Sequence, residues 1–234
     1  MNSEDKFKRY WEIQAIEGKK WQESRYQNNG LVWGKEGGPT VEYATQYFKQ
    51  QNVKRILVIG CGYGRECIYF ADHDFHVVGI DMSAEGIRLA HEWLTQEYRD
   101  NVRFLIGNAL DLEFSNDSFD AIFSHKVFHQ FNQQDRSMML NEMHRVLSPH
   151  GVFVLSDLSV SDPEFGIGVE VEKHTFEREK RAYRPIHFMD ANSLQEFSAF
   201  ELVDVREIDF WETHPGEKVE HKHVFLRVTG RKME

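Results

Sequence analysis

Cysteine is almost missing: Cys61 and Cys67 are the two among 234 residues. So sparse a set excludes a disulfide-stapled scaffold and suits reduced thiols. No apolar run approaches the roughly 20 residues of a membrane span. The opening, MNSEDKFKRYWEIQAIEGKK, lacks the apolar core of a secretory signal. Basic excess is absent as well. Lys and Arg number 28 against 38 Asp and Glu, a formal charge of -10. Nucleic-acid binders carry a basic stripe, because phosphate contacts dominate their affinity. With no repeat or low-complexity tract either, the sequence predicts a cytoplasmic protein with no nucleic-acid and no membrane partner.

What is present suits a packed α/β domain. Hydrophobic residues make up 41% and aromatics 13%, enough for a sizeable core. Short apolar runs at Arg55–Ile59, His76–Ile80, Val102–Ile106, Phe119–Phe123 and Val152–Leu155 read as buried parallel strands. Helices are expected between them, at 64–72, from Ser83 to about Tyr98, and from Asn132, with Ser83 and Asn132 as caps. Met139, Leu140, Met143, Val146 and Leu147 recur at helical spacing. A short helix is expected near Asp190–Ala199. Leu202–Phe210 and Val219–Val228 come next as an antiparallel pair around Pro215-Gly216.

The alternation predicts one domain over 1–234, a doubly wound, mostly parallel sheet with helices on both faces. Residues 1–40 read as an N-terminal extension or lid. The charged stretch 158–188 reads as a solvated loop or as a second lid.

The most specific signal is Val58-Ile-Gly60-Cys-Gly62-Tyr-Gly64-Arg65. A buried strand runs into a glycine loop and then a helix, whose free amides favour a carboxylate or other anionic group. Asp81 ends the next strand, where a carboxylate can accept both hydroxyls of an adenosine ribose. The dinucleotide fingerprint needs Gly or Ala at its sixth position, and Arg65 stands there. The spacing therefore favours a nucleoside without a pyrophosphate.

Gly60–Gly64 and Val78-Gly-Ile-Asp81-Met-Ser83 resemble the first two motifs of class I S-adenosylmethionine-dependent methyltransferases. Gly107-Asn-Ala-Leu-Asp111-Leu-Glu-Phe114, Phe119–Ser124 and Glu142–Gly151 resemble that family's later segments. The resemblance implies a Rossmann-like, seven-stranded sheet with an antiparallel last strand. It implies S-adenosyl-L-methionine as cofactor, with S-adenosyl-L-homocysteine as product. Gly60, Gly62 and Gly64 would meet its methionine part, Asp81 the ribose, Met82 the adenine face, and Asn108 and Ala109 the adenine edge. Cys61, Arg65 and Ser124 complete the implied set. Asn108 stands where the family usually has Asp. The Gly-Arg-Glu extension of the loop, Trp33-Gly34 and Arg184–Phe188 are similar, more loosely, to the tellurite-resistance and thiopurine group, which implies a small acceptor reacting through S, O, N or a metalloid.

No Asn/Asp-Pro-Pro-aromatic motif comes after the fourth strand, which disfavours nucleic-acid and protein amide nitrogens. His125 and His129 stand there instead. Four apart, they would share the face of a helix starting there, where either can act as base, or both are ordinary polar positions. Lys126 is expected to face solvent. Asp157 ends the fifth strand as a substrate contact or a cap. His187 is a substrate contact or a packing residue, and Trp33, with Trp11 and Trp21, roofs the cleft or packs the extension. His214, His221 and His223 offer metal-ligand atoms without an evident fourth ligand, so no metal is expected. Cys61 and Cys67 are expected to pack. Two other readings remain: a non-catalytic module that binds the same cofactor, and an NAD(P)-linked oxidoreductase.

Overall fold

Apolar runs too short for helices can bury both faces only inside a sheet covered on each side. The computed structural model describes residues 3–31, 37–94, 98, 100–178, 185–212 and 220–233. Its helices are α1 (Ser3–Asn29), α2 (Pro39–Gln50), α3 (Arg65–Ala71), α4 (Ala84–Trp93) and α5 (Gln133–Val146). Its strands are β1 (Arg55–Ile59), β2 (His76–Asp81), β3 (Val102–Ile106), β4 (Phe119–His125) and β5 (Leu147–Leu158), then β6 (Val169–Glu172), β7 (Thr175–Glu177), β8 (Ile186–His187), β9 (Phe200–Glu212) and β10 (His221–Lys232).

Seven strands form one sheet in the order β3-β2-β1-β4-β5-β10-β9, with β10 antiparallel to both neighbours. The expected doubly wound, seven-stranded fold is the one observed. The chain runs outward from β1 to β3, then crosses back to β4. The winding reverses between β1 and β4, and open α/β sheets bind ligands in the crevice outside the carboxyl ends at such a point.

Side chains alternate across the sheet. Val58, Phe70 and Phe123 pack with α2, α3 and α4 on one face. Leu57, Ile59, Ile122 and Leu155 pack with Met139 and Met143 of α5 on the other. Both expected caps form: Ser83 Oγ accepts from the Gly86 amide at 2.9 Å, and Asn132 Oδ1 from the Asp135 amide at 2.8 Å.

Residues 3–29, for which the sequence suggested no secondary structure, are one long helix, whose inner stripe (Trp11, Gln14, Tyr26) is too polar to read as amphipathic. Three expectations need correcting. Helix α4 stops at Trp93, short of Tyr98. The segment near 190–199 forms only a 3-10 turn, Ser193–Phe197. Of the stretch 158–188, the described residues 158–178 and 185–188 are no solvated loop, because they build a second, three-stranded sheet in the order β6-β7-β8. Phe176, Ile186 and Phe188, scattered among charges in sequence, converge on Leu158 and Phe225. Within it Arg178 pairs with Glu164 at 2.9 Å, and Glu172 with the buried Arg136 at 3.3 Å. Pro215-Gly216 of the expected turn lies outside the described residues.

Helix α3 and the glycine loop press against β2 at Gly79. A methyl group there would lie 2.6 Å from Cys67 Sγ and 2.9 Å from Cys61 Sγ. Both thiols are buried, as expected of packing residues. Gly79→Ala should cost about 1–3 kcal/mol by overpacking. Urea unfolding checks this, and an unmoved midpoint would mean that the helix yields freely.

Candidate active site

The loop after β1 turns on backbone conformations that side chains resist. Gly60 has φ +72° and Gly62 φ +53°. A Cβ on Gly60 would sit 2.2 Å from Val127 Cγ2, and one on Gly62 2.5 Å from the Tyr26 hydroxyl. The Ile80 carbonyl accepts from the amides of Gly60 and Cys61, both at 2.9 Å. Asp81 completes the join: Oδ2 accepts from the Gly62 amide and Oδ1 from the Ser83 amide, each at 2.8 Å. Burial raises the Asp81 pKa, and these two amides oppose the rise. Met82, beside it, is 38% exposed and free to meet a flat ligand.

Helix α1 lies across this edge. The Glu23 carboxylate accepts from the Ala84 and Glu85 amides, at 2.7 and 3.0 Å, capping α4 from a distant part of the chain. The Tyr26 ring is buried edge-on against Tyr63. Further along, Tyr10 is raised to a very high pKa, first by burial and then by Glu177 of β7. The helix thus spans the mouth of the crevice from the small sheet to the glycine loop. From Tyr10 to Tyr26 is about 24 Å at 1.5 Å per residue. Trp11 Nε1 and Gln14 Oε1 are buried beneath it without hydrogen-bond partners. Trp21 is exposed, and Trp33 lies outside the described residues.

The strand ends opposite carry the groups suited to proton transfer. Strand β4 continues to His125, Lys126 takes a left-handed φ of +60°, and a 3-10 turn covers Phe128–Gln130. The expected helix bearing both histidines does not form, so His125 and His129 do not share a face. His129 is pinned by Asp157, whose Oδ2 accepts from its amide at 3.0 Å and whose Oδ1 meets its Nδ1 at 2.7 Å. Asp157 is wholly buried at the end of β5, and its Oδ1 also accepts from the Leu158 amide. Burial pushes its pKa up, but the imidazole and the hydrogen bonds outweigh this and hold it below the usual carboxylate range. A carboxylate on Nδ1 fixes that nitrogen as the donor, leaving a lone pair on Nε2.

His125 instead packs edge-on against Phe210 and Phe225, and burial, then Lys126, drives its pKa to about 4. Lys126 is not in solvent: it pairs with Glu212 and lies over the same two rings. Arg65 pairs with Glu66, 2.5 Å away. His187 is buried with Nδ1 3.0 Å from Thr175 Oγ1. It faces a groove of about 500 Å³ beside Arg136 and Glu196, on the α5 side. Asn108 Oδ1 already accepts from the Leu110 amide at 3.0 Å, and Ala109 is buried next to it. Ser124 Oγ is buried at the crevice with no partner, as is Ser156 Oγ on the adjoining strand. Ser156, Glu23, Tyr26 and Glu212 escaped the sequence reading, because no local pattern marks them.

A family model described as a methyltransferase domain matches residues 50–210. The chain belongs to that family. It is similar to the O-methyltransferase rstn1 of Aspergillus nomiae, 32% identical over 51% of this chain and 56% of that one. It is also similar to a demethylmenaquinone methyltransferase of Listeria monocytogenes, 30% identical over 51% and 52%. The chain spans about half the length of the curated relatives it matches. Among solved structures, a Burkholderia thailandensis 1,6-didemethyltoxoflavin-N1-methyltransferase, holding its namesake compound and S-adenosylhomocysteine, overlays with a TM-score of 0.65. It is 22% identical, over 90% of this chain and 85% of that one.

Family and fold together make this a class I, S-adenosylmethionine-dependent methyltransferase domain and displace the NAD(P) reading. The residues present fit that cofactor. The loop must stay bare backbone, since a Cβ on Gly60 or Gly62 would strike Val127 or Tyr26; Asp81 offers buried carboxylate oxygens, and the Ser124 hydroxyl lacks a partner.

Removing the carboxylate in Asp81→Ala should weaken S-adenosylmethionine binding by about 1.5–3 kcal/mol, the worth of a charged hydrogen bond. Calorimetric titration decides this, and unchanged affinity would remove the ribose assignment. Acid should loosen the fold. The folded-state pKa of His187, about 3, lies below the free value of about 6.5. As pH falls through that window the unfolded chain takes up a proton that the folded chain refuses, so stability is lost. His187→Asn should flatten the decline of the urea midpoint between these limits, and an equal slope would mean that the residue titrates normally.

Proposed function

We propose that this chain methylates a small-molecule acceptor whose attacking atom carries a proton, with His129 as general base. The observation that carries the reading is the Asp157–His129 pair at the crevice, 2.7 Å apart. Bound S-adenosylmethionine would supply a methyl group on a sulfonium, open to in-line displacement with a neutral leaving group. The protein then has to orient the acceptor, keep water out and receive a proton. His129 Nε2 is the free nitrogen for that proton. Asp157 stabilises the imidazolium that results. Gly60, Gly62 and Asp81 would hold the cofactor, with Met82, Ala109 and Ser124 around it, while Asn108 has only its remaining hydrogen-bonding capacity to offer.

The N-terminal segment, residues 1–40, would act as the lid, with Trp11 and Gln14 of α1 turned toward the acceptor. The 158–188 sheet would serve as a fixed side wall. A roof at this edge and the charge of -10 support a small acceptor over nucleic acid. Relatives named for an oxygen acceptor and for a ring nitrogen support the same size class. Among the described residues no helix is long and apolar enough to cross a membrane.

The test is release of S-adenosylhomocysteine over a panel of phenols, thiols, amines and metalloid oxyanions. With the best acceptor, His129→Ala should leave cofactor affinity intact and lower kcat by about 10²–10⁴-fold. Asp157→Asn should lower kcat less and change its pH profile. Full turnover by His129→Ala would remove the base. Cofactor binding without turnover of any acceptor would favour the non-catalytic module.

A further inference from the structure

A second cluster of ligand atoms stands at the same sheet edge, where β9 ends and β10 begins. Glu212 and His221 are cross-strand partners, and His223 lies two residues beyond His221 on the same face. Glu212 Oε1 lies 3.8 Å from His221 Nε2 and 3.4 Å from His223 Nε2. All three residues offer ligand atoms within 4.8 Å of one another. We propose that Glu212, His221 and His223 bind one divalent transition cation of the zinc type.

The geometry is close to what such an ion needs. Ligand bonds of about 2.0–2.1 Å in a tetrahedral site place donors about 3.4 Å apart, so Glu212 Oε1 already stands near that spacing from both imidazoles. Two imidazole nitrogens and one carboxylate oxygen select zinc, nickel or copper over magnesium or calcium, which prefer all-oxygen sites. His223 is also prepared from behind. Its Nδ1 meets Asp162 Oδ2 at 2.9 Å, and that buried oxygen also accepts from the Val224 amide at 2.8 Å. A carboxylate behind a ligating histidine fixes the ring and directs its other nitrogen at the metal. Here that nitrogen points at Glu212.

Two cations compete for the place. The first is a proton. It would sit between His223 Nε2 and Glu212 Oε1, 3.4 Å apart. The second is the Lys126 ammonium, paired with the other Glu212 oxygen. Each answers the same excess of acceptor charge, and a dication answers it more completely. His221, about one-third exposed, leaves a fourth position open to water or to a ligand entering the crevice. The metal site stands on its own residues, whatever the acceptor of the methyl group.

Calorimetric titration of the full-length protein with Zn²⁺, and the visible spectrum after Co²⁺ addition, test this without reference to activity. One equivalent of Zn²⁺ should bind, and Co²⁺ should give the intense absorption of a four-coordinate site. His221→Ala should weaken Zn²⁺ by at least about tenfold, and Glu212→Gln by a similar factor. Should circular dichroism find one variant unfolded, the other carries the test. Lys126→Met should tighten binding by removing a competitor. Absence of stoichiometric binding, or binding as tight in His221→Ala and Glu212→Gln as in the parent, would overturn the site.

Discussion

The Asp81 carboxylate accepts one amide from the loop after β1 and one from the turn after β2, each at 2.8 Å. Two strand ends are thereby fixed against one another, and the glycine loop, the turn carrying His129 and helix α1 all meet at that join. Gly60 brings the backbone against Val127, which sets the turn carrying His129. Gly62 leaves room for the Tyr26 hydroxyl, and Glu23, one turn earlier, caps the helix that Ser83 begins. A shift of the loop would disturb all three, because close-packed neighbours transmit displacement rather than absorb it.

Asp81 and Asp157 illustrate how partners decide what a buried carboxylate does. Both are drawn from water, which favours the neutral form. Asp81 has two neutral amides, and burial prevails, so its pKa rises. Asp157 has an imidazole as well as amides, and the partners prevail, so its pKa falls. The first is held with oxygens that can turn to ligand hydroxyls, which carry no charge to be neutralised. The second is committed to its histidine. In sequence the two look alike, each an aspartate at or near the end of a buried strand.

Local chemistry was legible. The five apolar runs became parallel strands, Ser83 and Asn132 became caps, and Leu202–Val228 became the antiparallel pair, because each depends on neighbours within a few residues. Helix α1 was not legible, since its buried stripe uses Trp, Gln and Tyr in place of an aliphatic seam, and distant partners stabilise it. The 158–188 sheet was hidden for a related reason: its aromatics are diluted among charges that pair only in three dimensions. Of the site, the glycine loop and Asp81 were visible as a spacing. The Asp157–His129 pair was not, because 28 residues separate its members and nothing local to either residue points to the other.

The two histidines after β4 show where a spacing argument fails. Four residues apart means one face only if a helix begins at the first of them. Strand β4 extends through His125, which directs that ring between Phe210 and Phe225, and the left-handed residue Lys126 then reverses the chain. The ammonium of Lys126 consequently reaches Glu212 and His129 reaches Asp157. One residue at φ +60° therefore sends neighbouring side chains to different partners, His129 to β5 and Lys126 to the strand pair beyond it. The side chains of Lys126 and His129 thus head for different strands at one edge of the sheet, and Asp157 still acts on the Lys126 charge alongside Glu212.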